Sequence, residues 1–145
     1  MEIVTSSQEE TIELASEIAT KLKGGEILAL TGELGAGKTV FSKGLAKALG
    51  VEANVISPTF NLVKSYKIEK KDSNIKQFLH ADLYRLNSRE EAIDIGFLDD
   101  FSKEDTICLI EWADKFKNIF PEQTVWVEIE HIENDKRKIT IKGLE

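Results

Sequence analysis

Gly32-Glu33-Leu34-Gly35-Ala36-Gly37-Lys38-Thr39 fits the pattern G-x-x-x-x-G-K-[ST] at every fixed position. Glycines let a backbone wrap tightly, so that successive N–H groups point inward at phosphate oxygens. A helix starting near Lys38 aims its positive end at the same anion. Lys38 is then placed to neutralise β- and γ-phosphates, and the Thr39 hydroxyl to hold Mg²⁺. The flanks fit the pattern's structural requirement. A β-type run, Glu26–Leu30, leads in and ends at Thr31. An amphipathic helix bearing Phe41, Leu45, Ala48 and Leu49 leads out and closes at Gly50. The plainer alternative is a glycine-rich turn capping an ordinary βα unit.

Upstream, Met1–Thr5 reads as a short strand. Ser7 with Glu10 three residues later forms a capping box, and Ile12, Ala15, Ile18, Ala19 and Leu22 follow at helical spacing until Gly24-Gly25. Downstream, Asn61–Ile68 alternates, with Leu62, Tyr66 and Ile68 on one face. Polar Lys70–Asn74 makes a turn, and Ile75–Asp82 returns as the second strand of a hairpin. Ser88 with Glu91 caps a short helix ending at Gly96. Thr106–Ile110 is an apolar run suited to a buried central strand. Thr124–His131 and Lys138–Lys142 pair around Asn134-Asp135. No repeat, low-complexity tract or linker interrupts residues 1–145, which read as one unit. Interleaved strands and helices predict an α/β fold of three layers, with a central, mostly parallel sheet and antiparallel hairpin strands.

Composition narrows the function classes. The chain has 145 residues, 41% hydrophobic and 31% charged, enough for a core and incompatible with wholesale disorder. Its 19 Lys and Arg against 26 Asp and Glu give a formal charge of −7. That balance disfavours unaided binding to DNA or RNA, which rests on many basic contacts. Apolar runs stop at four residues, Ile27–Leu30 and Ile107–Ile110, whereas a membrane-spanning helix needs roughly 20. No charged-then-apolar leader opens the sequence. Cys108 is the single cysteine, and with two histidines it makes a poor zinc set. A cytoplasmic protein with no membrane association is the expectation.

A nucleotide-hydrolysing site needs acids beyond the loop, and open α/β sheets place ligands at strand C-termini. Glu111 follows Ile107-Cys108-Leu109-Ile110, in the position of a metal-organising acid after a buried strand. Asp82 ends the strand in His80-Ala81-Asp82-Leu83-Tyr84-Arg85. Either one suits a Mg²⁺-bound water or the base for an attacking water; the competing reading of each is a solvated acid or cap just past a strand. In Ser57-Pro58-Thr59-Phe60, Pro58 biases Ser57 toward extended backbone, and the Thr59 hydroxyl is a candidate for the γ-phosphate or its water. As a bare tetrapeptide, an ordinary turn explains it better. Trp112 and Trp126 read first as packing residues, His80 as structural, and Lys70-Lys71 and Lys136-Arg137-Lys138 as solvated hairpin charges.

GELGAGKT, SPTF, HADLYRL and LIEW, in that order, make the chain resemble the TsaE (YjeE) family of small P-loop ATPases in bacterial tRNA threonylcarbamoyladenosine (t6A) biosynthesis. The resemblance covers nearly the whole chain. It implies a P-loop NTPase-like fold and a Mg²⁺-dependent ATPase, weak alone, that docks on the TsaB and TsaD proteins. That pair transfers threonylcarbamoyl to the adenosine beside the anticodon, so tRNA is met indirectly. By motif it implies ATP contacts from Gly35, Ala36, Gly37, Lys38, Thr39 and Val40, and metal contacts from Thr39 and Glu111. Glu111, Asp82 and Thr59 become the catalytic candidates. Trp112 falls near the nucleotide, and the segment Thr5 to Gln8, with Gln8 as its binding residue, near the adenine. A free dimer is neither implied nor excluded.

Two other readings stand beside this one. A small-molecule kinase on the same loop would use arginines to clamp phosphates, and of Arg85, Arg89 and Arg137 only Arg85 is suitably placed by sequence. A nucleotide-sensing adaptor would bind ATP and barely turn it over. A GTPase is disfavoured, because neither Asn-Lys-x-Asp nor Asp-x-x-Gly occurs.

Overall fold

A computed structural model describes residues 1–33, 35–53, 55 and 62–144. The glycine-rich turn joins β2 (Ile27–Thr31) to α2 (Lys38–Leu49), and everything else is arranged around that junction. β2 is buried along its whole length. It lies between β5 (Thr106–Glu111) and β6 (Val125–Glu133), parallel to both, and β4 (Gln77–Asp82) runs parallel to β5 on its other side. β7 (Lys136–Lys142) and β1 (Glu2–Thr5) extend one edge antiparallel, and β3 (Val63–Lys67) closes the other edge as the antiparallel partner of β4. Among the described residues the strands lie in the order β1-β7-β6-β2-β5-β4-β3. The expected parallel centre with hairpin strands is what forms.

Strand alternation divides the core into two layers. Leu28, Leu30, Phe78, Ile107, Leu109, Val127 and Ile129 face α1 (Gln8–Lys21) and α2. Ile27, Ala29, Leu79, Ala81, Cys108 and Ile110 face α3 (Arg89–Asp94) and the 3-10 segments Phe97–Ser102 and Ala113–Ile119. Both expected N-caps form: Glu10 N–H donates to Ser7 Oγ at 3.1 Å, and Glu91 N–H to Ser88 Oγ at 3.2 Å. Each such cap contributes about 1 kcal/mol.

Two details differ from the periodicity. On α1 the buried stripe runs through Thr11, Leu14, Ala15, Ile18 and Ala19, while Ile12 is 41% exposed. Thr11 is drawn inward because its hydroxyl meets that of Thr5 at 2.8 Å, tying the end of β1 to the start of α1. Leu62 sits outside β3 with φ 62°, a left-handed backbone that breaks the strand before Val63.

Candidate functional site

α2 begins without a side-chain cap among the described residues. Gly37 occupies the capping position with φ 109°, and a Cβ there would sit 3.4 Å from Arg137 Nε. Gly32 has φ 148°, and a Cβ on it would come within 2.5 Å of the Ile129 carbonyl oxygen, so the loop can lie against β6 only as glycine. A helix's first turn leaves N–H groups without intrahelical partners. Here Gly37, Lys38, Thr39 and Val40 of that first turn line a cavity of about 320 Å³.

Its walls bring distant segments together. Gly35, Gly37, Lys38, Thr39 and Val40 come from the loop and α2, Ser7, Gln8 and Thr11 from the start of α1, and Asp82, Glu111 and Trp112 from strand ends. Thus Gly35, Gly37, Lys38, Thr39, Val40, Gln8, Asp82 and Glu111 meet as the sequence leads one to expect. Ala36 is buried behind the loop, 2% exposed, and outside the lining. Thr59 and the rest of Ser57-Pro58-Thr59-Phe60 lie outside the described residues, as does Leu34.

Lys38 is 6% exposed, and its ammonium donates to the carbonyls of Gly32 and Glu33, the latter at 3.1 Å. It also sits 3.8 Å from the centroid of the Trp112 ring, a cation–π contact. Trp112 is held there by a left-handed backbone, φ 59°, and by the Tyr84 ring 4.9 Å away. Burial pushes the Lys38 pKa down, and Glu111, Asp82, Asp114 and Glu33 oppose that shift.

The two acids end adjacent parallel strands and stand opposite each other in register, Asp82 with Glu111. Burial raises the Asp82 carboxyl above its ordinary pKa; the Tyr84 N–H, donating to Oδ1 at 2.9 Å, acts the other way, and Glu111 adds to the rise. Glu111 is 3% exposed, with His80 Nε2 2.5 Å from its Oε2. Among the described residues, no group of three or more His, Cys, Asp or Glu is arranged to hold a metal unaided.

Two arginines are placed differently from the sequence reading. Arg137, read as a solvated hairpin charge, lines the cleft with Asp135, its guanidinium donating to the carbonyls of Asn134 and Lys136. Arg85, the sequence's candidate clamp, is exposed and is not in the lining. The signal for Arg137 is non-local: it pairs with Thr5 across the β1–β7 ladder, which sets it beside the start of α1. His80, read as a structural strand residue, is buried with its Nε2 on the site acid Glu111. Period-2 alternation alone puts His80 on the face of Asp82.

Comparison with known proteins bears on this geometry. The sequence profile described as "Threonylcarbamoyl adenosine biosynthesis protein TsaE" matches residues 5–139. The chain belongs to the TsaE family. It is 37% identical to the tRNA threonylcarbamoyladenosine biosynthesis protein TsaE of Bacillus subtilis (strain 168), over 97% of this chain and 84% of that one. Identity to the Aquifex aeolicus (strain VF5) TsaE is 39%, over 97% and 94% of the two chains. Among solved structures, the crystal structure of Bacillus subtilis YdiB superposes with a TM-score of 0.75 at 29% identity, covering all of this chain and 86% of the other. The matched span takes in α2, both site acids and Arg137, so the family likeness and the cleft coincide.

Proposed function

We propose that the protein is a Mg²⁺-dependent ATPase serving tRNA threonylcarbamoyladenosine biosynthesis with the TsaB–TsaD pair. The observation that carries this reading is the convergence, in one cavity, of an uncapped helix start behind a glycine loop, a buried lysine, and two acids on neighbouring parallel strands. Membership of the TsaE family and relatives named for t6A biosynthesis support the biological role.

In this reading the N–H groups from Gly35 to Val40 receive the β- and γ-phosphates. Lys38 exchanges the Gly32 and Glu33 carbonyls for phosphate oxygens, and Arg137 adds a second cation beside Gly37. Gln8 flanks the nucleoside. The donors near Thr39 and Glu111 are hard oxygens, the chemistry Mg²⁺ takes, and their small number suits an ion that also keeps phosphate and water ligands. Thr39 and Glu111 would hold the ion, which would supply Lewis-acid polarisation of the phosphoryl group and offset charge on the leaving oxygen. Asp82 accepts a hydrogen bond from the attacking water and orients it as the water oxygen bonds to the γ-phosphorus, and the proton that the water gives up passes to an oxygen of the released phosphate. The bond to the β-phosphate oxygen breaks, and its electron pair leaves on ADP. Thr59 is the further candidate at the γ-phosphate. The net charge of −7 suits a protein that meets tRNA through its partners in the cytoplasm.

The test is phosphate release from Mg-ATP with and without TsaB–TsaD. Slow turnover alone and faster turnover with the pair are expected. Phosphate appearing on an added metabolite, or binding without turnover in the full mixture, contradicts the proposal. Lys38→Ala should weaken ATP binding by about 10–100-fold, as loss of charge-assisted phosphate contacts does. Glu111→Ala should keep much of the binding and lose hydrolysis.

A further inference from the structure

We propose that His80 is a positioning residue for Glu111: its Nε2–H holds Oε2, so that Oε1 alone is presented to the metal at the triphosphate. This rests on the reading of the cleft as a Mg-ATP site.

The pair is built like a fixed support. His80 is 1% exposed and Glu111 3%, and they come from adjacent parallel strands, β4 and β5. Alternation puts His80 on the same sheet face as Asp82, and Leu109 on the same face as Glu111. His80 registers with Leu109 and Asp82 with Glu111, so the imidazole lies one pleat below the two acids, on the α2 side. The Phe78 ring, 6.1 Å from the imidazole between centroids and itself against Tyr66, closes the space beneath it. His80 Nδ1 is buried and has no hydrogen-bond partner among the described residues. A carboxylate only accepts, so the proton of the contact belongs on Nε2. The neutral tautomer then strands one lone pair on Nδ1 rather than an N–H.

A buried carboxylate needs a donor, and His80 supplies it on one oxygen only. That has a geometric consequence. With Oε2 engaged by His80, rotation about the Glu111 carboxyl is opposed, and Oε1 is the oxygen left to meet a cation in the cleft that Glu111 lines. Partners that orient a metal's ligands in this way typically set metal affinity by 10–100-fold when removed. A merely structural histidine would change folding and leave the metal's affinity, measured at saturating nucleotide, untouched.

The experiment is Mn²⁺ binding to the protein–ADP complex, read from the electron paramagnetic resonance signal of free Mn²⁺, alongside ADP affinity in EDTA. His80→Phe keeps the ring and drops the donor; His80→Asn keeps a polar amide too short to reach Glu111; His80→Gln places an amide N–H near the position of Nε2. Both His80→Phe and His80→Asn should raise the Mn²⁺ half-saturation about tenfold or more, with metal-free ADP affinity as in wild type. His80→Gln should restore most of the loss. If His80→Phe does not fold, the Asn and Gln pair makes the same comparison. Unchanged Mn²⁺ half-saturation in His80→Asn, or equal loss of Mn²⁺ and metal-free ADP affinity in all variants, overturns the assignment. Wild-type protein that takes up ADP but no Mn²⁺ overturns the metal-site reading itself, and this assignment with it.

Discussion

Lys38 and Asp82 face one cleft and are displaced in opposite directions by the same cause: burial lowers the pKa of the amine and raises that of the acid. For Asp82 the stability consequence has a definite sign. Its unfolded pKa is near 3.8 and its folded pKa is higher, so the folded state loses stability as pH rises from below 3.8 through the folded value, and the loss is complete above it. Asp82→Asn keeps the oxygen that accepts the Tyr84 N–H and removes the charge. We expect it to raise Tm at pH 7 by about 1–3 °C, discounted for solvent screening, with the gain vanishing below pH 3.8, as differential scanning calorimetry at both pH values will show. ATP hydrolysis should fall in the same variant. Cys108 gives a second expectation. Burial pushes its thiol up to about 12, and it is 1% exposed. Iodoacetamide at pH 8 should therefore leave the folded protein unlabelled, and mass spectrometry should find alkylation only after denaturation.

At the scale of elements, α1 and α2 pack closely because Gly44 lets them. A Cβ on Gly44 would stand 3.3 Å from the Ala15 Cβ and from the Ile12 Cα, that is, against the backbone of the facing helix. Gly44→Val should destabilise by about 1–3 kcal/mol through overpacking, read as a lower urea midpoint. It should also weaken ATP binding, because α2 carries Lys38 and Thr39. The helices themselves were legible from local signals. Ser7–Glu10 and Ser88–Glu91 announce the starts of α1 and α3, and Gly50 the end of α2, because caps act over three or four residues. What local signals do not contain is tertiary choice. Ile12 satisfies the helical period, yet Thr11 is taken inward by Thr5. Leu62 alternates correctly with Tyr66, yet its left-handed backbone excludes it from β3.

Across the whole molecule, the site depends on pairings between chain segments far apart in sequence. β1 and β7 join the two ends of the chain: the Met1 ammonium donates to the Ile141 carbonyl at 3.0 Å, and the Ile141 N–H to the Met1 carbonyl at 2.9 Å. Through that ladder Thr5 meets Arg137, and Gln8 and Arg137 reach the same cleft as the start of α2. The loop, Asp82 and Glu111 were legible because a motif and two strand ends announce them. Arg137 was not, since only the register of strands that join the chain's ends brings it in. Arg137→Ala should leave the Tm unchanged within about 2 °C and weaken Mg-ATP binding about tenfold, measured by isothermal titration calorimetry. The most direct measurement is a nitrogen-15 amide spectrum of the protein titrated with Mg-ATP. If the loop and helix start clasp the triphosphate, the amide signals from Gly35 to Val40 shift most, and Lys38→Ala suppresses the response. Shifts confined to other surfaces, or none at saturating nucleotide, would contradict that claim.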